Sequence, residues 1–267
     1  MIFQSKTILI TGAGSGIGKD VAFALAKRGH RVIATTETAE QLSALNKEAD
    51  QKGISIESHK IDITIPGDRD ASMKYMPVDV LINNAAIGES GSLAEIDINI
   101  VRHTFEVNVF APFELTQKVI STMIDQGSGT IIFVSSTAGR IVVPFLAPYS
   151  MTKFSLSSGV EALRKEMQVL NKNIHVCLVE PGAYHTGFNQ KMFMSQFLRM
   201  KTTSYFYSKQ KEIQDRLEYM FRLLEVRSTQ SIVKTIVRAT EAEKPRLRYT
   251  APRWQALGVR ILRILGK

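Results

Sequence analysis

The stretch from Lys6 to Ala26 limits the fold more than any other. Lys6–Ile10 (Lys-Thr-Ile-Leu-Ile) is a short apolar, β-branched run, the pattern of a buried strand. Thr11-Gly12-Ala13-Gly14-Ser15-Gly16-Ile17-Gly18 follows at once, and Val21, Ala22, Leu25 and Ala26 then recur at helical spacing. A strand, a glycine-rich turn and a helix in direct succession bring a helix N-terminus to the end of a strand. Its N–H groups and positive dipole suit a pyrophosphate, and the glycines allow a tight turn and close approach. Glycines alone also make purely structural turns, so the strand–turn–helix context carries the weight.

The alternation continues downstream. Arg31–Thr35, Ile54–Ile61, Val78–Ile82, Gly129–Ser135 and Ile174–Val179 read as further strands, with a helix over Thr38–Gln51 and a long one over roughly Ile98–Gln126. Pro112 removes an N–H from that long helix and predicts a kink near Asn108. The βαβ order predicts an α/β fold, a doubly wound parallel sheet with helices on both faces. The 267 residues suit one domain of this kind. Ligands of such sheets bind beyond the carboxyl ends of the strands. Gly12–Gly18, Asp62, Asn84, Ser136 and Pro181-Gly182 all fall there.

Thr35-Thr36-Glu37 lies where a ribose-reading residue is expected, about 20 residues past the glycines. A carboxylate accepts from ribose hydroxyls and repels a 2′-phosphate, so Glu37 leans toward NAD over NADP. Alternatively Thr36 holds the key position and Glu37 simply opens the next helix. Asp62, at a strand end, either meets an adenine amino group or caps the following turn. Asn83-Asn84-Ala85-Ala86 ends the fourth strand with small residues that let the backbone pass close to a ligand.

Ser136, Tyr149 and Lys153 carry the chemistry. Tyr149 and Lys153 are four apart, one above the other on a helix that begins near Pro148. A free phenol titrates near ~10. An ammonium one turn away favours the phenolate and lowers that value. A phenolate beside a hydroxyl, at the mouth of a sheet, is what deprotonating an alcohol needs.

With these residues in place, the chain resembles the short-chain dehydrogenase/reductase family, and within it the hydroxysteroid and retinol dehydrogenase branch. The match runs from residue 6 to about 190. It comprises Thr-Gly-x-x-x-Gly-x-Gly at Thr11–Gly18, Asn-Asn-Ala-Ala at Asn83–Ala86, Asn108, Ser136, Tyr149-x-x-x-Lys153, and Pro181-Gly182 with Thr186. Ala86 departs from the family's usual glycine.

The resemblance implies a Rossmann-like NAD(P)-dependent oxidoreductase of alcohols, ketones or aldehydes. It makes Tyr149 the acid/base, lets Ser136 hold the substrate oxygen, and has Lys153 lower the Tyr149 pKa and bind the nicotinamide ribose. Asn108 would position a water linking Lys153 to solvent. Cofactor contacts would come from Gly12, Ser15, Gly16, Ile17, Gly18, Glu37, Asp62, Ile63, Asn84, Ala85, Ala86, Tyr149, Lys153, Pro181, Gly182 and Thr186. The step of thirteen residues to Tyr149 selects Ser136 over its neighbour Ser135. Such an enzyme forms a homodimer or homotetramer. The alternative function is a catalytically silent dinucleotide-binding redox sensor or interaction protein, for which a tuned phenol has no use.

The whole chain, 1–267, reads as one domain with a substrate-covering insertion at about 186–225. That insertion is rich in Met and aromatic residues, including Phe188, Met192, Phe197, Met220 and Phe221, which make an adaptable apolar pocket. It either takes a lipophilic alcohol or ketone, of steroid, retinoid or acyl type, or supplies ordinary packing.

The net charge of +9 is concentrated at the C-terminus, where Lys244, Arg246, Arg248, Arg253, Arg260, Arg263 and Lys267 meet no acid. Over about 252–267, Trp254, Leu257, Ile261, Ile264 and Leu265 recur at helical spacing. This basic amphipathic segment either touches an anionic membrane or packs on the protein. No reader motif accompanies the charge, so nucleic acid is not expected. The five histidines show no ligand spacing, and no metal is expected. One cysteine, Cys177, excludes an internal disulfide and suits a cytoplasmic setting. The N-terminus lacks a signal-peptide pattern.

Overall fold

The computed structural model describes residues 4–266. The N-terminal Met-Ile-Phe and the last basic residue of the tail, Lys267, lie outside the described residues.

Thr7–Ile10 (β1) forms the centre of a parallel sheet, paired with Arg31–Thr36 (β2) on one side and Val80–Asn83 (β4) on the other. The sheet has seven strands in the order β3-β2-β1-β4-β5-β6-β7, with β3 Glu57–Lys60, β5 Ser128–Val134, β6 Asn173–Pro181 and β7 Arg248–Ala251. The strand order reverses between β1 and β4, which opens a crevice at their carboxyl ends.

Ten helices accompany the sheet among the described residues: α1 Gly16–Lys27, α2 Ala39–Gln51, α3 Pro66–Ser72, α4 Ile98–Phe105, α5 Ala111–Gln126, α6 Ala147–Val169, α7 Phe188–Arg199, α8 Gln210–Leu224, α9 Gln230–Glu241 and α10 Arg253–Ile264. Side chains alternate across a strand. Ile8 and Ile10 therefore pack with Val21 and Leu25 of α1, Leu45 of α2 and Ile232 of α9. Leu9 packs on the opposite face with Leu115 and Val119 of α5 and Leu156 and Val160 of α6. Cys177 is fully buried among the first set, as an apolar side chain. No helix among the described residues is long and apolar enough to cross a membrane.

Three departures from the sequence reading have physical causes. β7 carries no apolar run; backbone pairing to β6 and ion pairs of Arg248 with Glu180 and Glu161 hold it at the sheet edge. β3 is shorter than 54–61: Ile54 and Ile61 are buried, but the ladder with β2 covers only Glu57–Lys60. The 98–126 helix is broken at the expected place, by a π-turn at Glu106–Phe110 rather than by the proline. Pro112 sits in the first turn of α5, where a missing N–H matters little.

A third cluster lies beyond the carboxyl ends of the strands. Met192, Phe193 and Phe197 of α7 and Ile213 and Leu217 of α8 fold over Leu146 and Tyr149. The rings of Tyr149 and Phe188 meet edge to face, centroids 5.6 Å apart.

Candidate active site

A cavity of about 780 Å³ opens at the crevice. Every residue nominated from sequence for cofactor contact lines it, from Gly12 to Thr186, as do Ser136, Tyr149 and Lys153. Asn108 does not; the π-turn carries it behind the wall, 1 % exposed.

At the phosphate end, Gly12 has φ +67°, and a Cβ there would stand 2.6 Å from the Ala85 Cα. A Cβ on Gly18 would overlap the Gly12 carbonyl oxygen. Both positions are closed to any other residue. Ser15 precedes α1 in extended conformation and makes no side-chain capping bond, and the first turn of α1 carries no acid. This leaves hydroxyl, backbone donors and helix dipole facing the cavity, with no acid of the first helical turn opposing them. The Asn84 amide donates to Thr11 O and Gly12 O, both at 3.0 Å, and so braces the turn. Asp62 Oδ1 accepts from the backbone and hydroxyl of Thr64 at 2.9 and 2.7 Å; the carboxylate both caps its turn and lines the cavity. Ile63 is buried beside it.

At the other end, Tyr149 shares a hydrogen bond with Ser136. Ser136 Oγ also accepts from Ala138 N at 3.1 Å. Ser135 points away, its hydroxyl 3.0 Å from that of Ser157 on α6. Lys153 is 2 % exposed; its Nζ donates to Val134 O at 3.1 Å and lies 5.6 Å from the centroid of the Tyr149 ring. Asn108 takes the N–H of Ile87 on its Oδ1 at 2.9 Å, and its Nδ2 donates to Ile87 O and Thr152 Oγ1 at 2.9 and 3.0 Å. It clamps the cavity wall to the turn of α6 that bears Lys153.

Burial pushes the Tyr149 phenol up to about 12, with the Ser136 hydrogen bond pulling down against it. Burial pulls Lys153 down to about 7. In both groups burial is the largest influence, acting against the charged form.

Sequence reasoning missed Gln255. It reaches the cavity from α10, beyond the last family motif, and no local pattern marks it. Its Oε1 accepts from Ala183 N and its Nε2 donates to Leu224 O. The apolar stripe Trp254, Leu257, Ile261, Ile264 and Leu265 is not the packed face of that helix. Gln255 and Val259 are the buried ones.

The cradle fits a dinucleotide. Glycines allow the pyrophosphate close approach at α1, and Thr186 lies directly against Gly16, 3.3 Å from where a Cβ on that glycine would stand. A family model described as short chain dehydrogenase matches residues 6–196. The dehydrogenase/reductase SDR family member 7B of Danio rerio is 28% identical over 197 residues, spanning 70% of this chain and 63% of its own length. The chain thus spans less than two thirds of that relative. A crystal structure of a short-chain dehydrogenase from Streptomyces avermitilis superposes with TM-score 0.79 at 26% identity, covering 100% of this chain and 94% of that one. A variant of actinorhodin polyketide ketoreductase with NADPH does so with TM-score 0.76 at 26% identity, covering 92% and 95%. With fold, motifs and cavity in agreement, the chain belongs to the short-chain dehydrogenase family.

Proposed function

We propose that this chain is an NAD(P)-dependent oxidoreductase that interconverts an alcohol and its ketone or aldehyde. One observation carries the reading: Ser136, Tyr149 and Lys153 share the wall of a single cavity with the glycine turn at the N-terminus of α1. When bound, the nicotinamide would donate or accept the hydride. The residues of the chain handle the proton and the geometry. With its pKa raised to about 12, Tyr149 is a neutral phenol at pH 7, ready to give its proton to a carbonyl oxygen. Ser136, bonded to Tyr149, holds the same oxygen. In the oxidising direction Tyr149 takes the proton instead. Lys153 binds the nicotinamide ribose, and Asn108 steadies its helix turn.

Two finer readings belong to this proposal. Thr36 is fully buried and donates to Thr38 O at 3.2 Å, whereas Glu37 is exposed on the cavity wall. This supports Glu37 as ribose reader and NAD over NADP, although the related ketoreductase carries NADPH. Phe188, Met192, Met220, Phe221 and Leu224 line the cavity around Tyr149, which supports a lipophilic substrate of steroid, retinoid or long-chain acyl type. Glu89, His103 and Lys191 line the same cavity. The setting is read as cytoplasmic and the assembly as a homodimer or homotetramer.

The test is titration of the purified protein with NADH and NADPH separately, followed by nicotinamide fluorescence, then turnover of a panel of lipophilic ketones with Tyr149→Phe beside the wild type. Binding of a cofactor and turnover lost in the variant, by about 10²-fold or more with cofactor affinity retained, is expected. Binding of neither cofactor overturns the proposal. Full activity of Tyr149→Phe removes the acid/base assignment, and binding without turnover favours a silent redox sensor.

A further inference from the structure

We propose that α10 lies in the surface of an anionic lipid bilayer and brings the mouth of the cavity to that surface. The helix has two faces. One is docked on the protein through Gln255 and Val259, which are 8 % and 7 % exposed. The other carries Trp254, Leu257, Ile261, Ile264 and Leu265, with exposures from 49 % to 76 %. At about 100° per residue these five form one stripe, on the side of the helix away from the docked pair. Arg253 and Arg260 run along one edge of the stripe, both exposed. An apolar face flanked by arginines is the form of a helix that rests at the headgroup boundary.

The charge selects the occupant. From Lys244 onward the sequence holds no acidic residue. A two-fold contact with a second copy would set the same arginines against themselves with no carboxylate on either helix to pair them. Anionic headgroups supply that partner.

The cavity supplies the reason for this placement. Trp254 and Leu262 line the cavity and are still 53 % and 39 % exposed, so they form its rim. Val142, 74 % exposed, stands between Ile141 and Val143, which also line it. Arg263 Nη1 donates to Arg140 O at 3.0 Å and ties the helix to that same loop. An apolar rim beside a bilayer-facing helix lets a lipid-dissolved molecule pass into the cavity without crossing water. The docking itself stands apart from the catalytic reading, and its failure would leave that reading intact.

Trp254 is the only tryptophan in the chain, so its emission reports on this helix alone. The full chain is mixed with phosphatidylcholine vesicles with and without phosphatidylserine, and with the same vesicles containing brominated acyl chains. Expected are flotation with the anionic vesicles only, a blue shift of emission, quenching by the brominated lipid, and loss of all three with added salt. Arg260→Gln should weaken the partition about fivefold. Leu257→Glu/Ile261→Glu should abolish it while the circular dichroism stays that of the wild type. Absence of flotation together with absence of quenching overturns the proposal. So does emission that is blue-shifted without vesicles and returns toward the red on dilution, since that places a second copy on the face.

Discussion

The side-chain oxygen of Gln255 accepts the backbone N–H of Ala183 at 2.8 Å. The same amide donates to Leu224 O at 2.7 Å, so one glutamine joins α10, the loop after β6 and the end of α8. Gly182 lies so close that a Cβ there would overlap the Gln255 oxygen. Gln255→Leu leaves a backbone N–H and a carbonyl unpaired beside the cavity, a loss of about 1–3 kcal/mol. A melting temperature lower by several degrees and a raised KM for the cofactor are expected. An unchanged KM for the cofactor would confine Gln255 to a packing role.

Arg248 of β7 ion-pairs with Glu180 and Glu161, and Arg140 lies 3.5 Å from the second oxygen of Glu180. Glu180 is fully buried; burial pushes its carboxyl up against the pull of Arg248 and Arg140. Arg248→Met strips the main partner from a buried charge, which costs about 3–5 kcal/mol. Thermal unfolding should show a fall on the order of 10 °C. Adding Glu180→Gln to that variant should recover part of the loss, since the orphaned charge is then gone; no recovery would mean that packing of β7, not charge, sets the effect.

Stability should depend on pH through Lys153. Unfolded, it titrates at its ordinary 10.5; folded, at about 7. Between those values the unfolded chain holds a proton that the folded chain does not, so stability rises with pH across the window and is lowest below it. Tyr149 acts oppositely at the alkaline end: folded, it keeps its proton to about 12, against 10.0 unfolded, so stability declines through that range. Urea midpoints measured from pH ~6 to ~10 should climb for the wild type and stay nearly flat for Lys153→Met. Parallel curves would show that Lys153 titrates normally.

Glu37 faces the cavity beside Gln41, whose Oε1 accepts the Glu37 N–H at 3.1 Å. Replacing the carboxylate by a guanidinium turns repulsion of a 2′-phosphate into attraction. Glu37→Arg should therefore shift the ratio of NADPH to NADH affinity upward by tenfold or more, roughly the 1.4 kcal/mol that one charge-assisted contact supplies. A ratio that does not move would hand the ribose to another residue.

The sequence by itself marked the first six strands of the sheet, the glycine turn and the candidate site residues. Apolar β-branched runs such as Lys6–Ile10 fold as buried strands wherever their neighbours allow, and a glycine turn between strand and helix has few other conformations. Ser136, Tyr149 and Lys153 were legible because they sit at fixed spacing within one strand–loop–helix segment. Tertiary structure decided the rest. β7 exists because Arg248 finds Glu180 and Glu161, residues distant in sequence. Pro112 announced a break near Asn108, but not the π-turn that turns Asn108 to Ile87. The burial that pushes the Tyr149 phenol up is a property of the assembled site and not of two residues four apart. The same reason governs α10. Its periodicity marked an apolar stripe, but which side of a helix meets the protein depends on what the other elements present, and here they present Ala183 and Leu224 to Gln255.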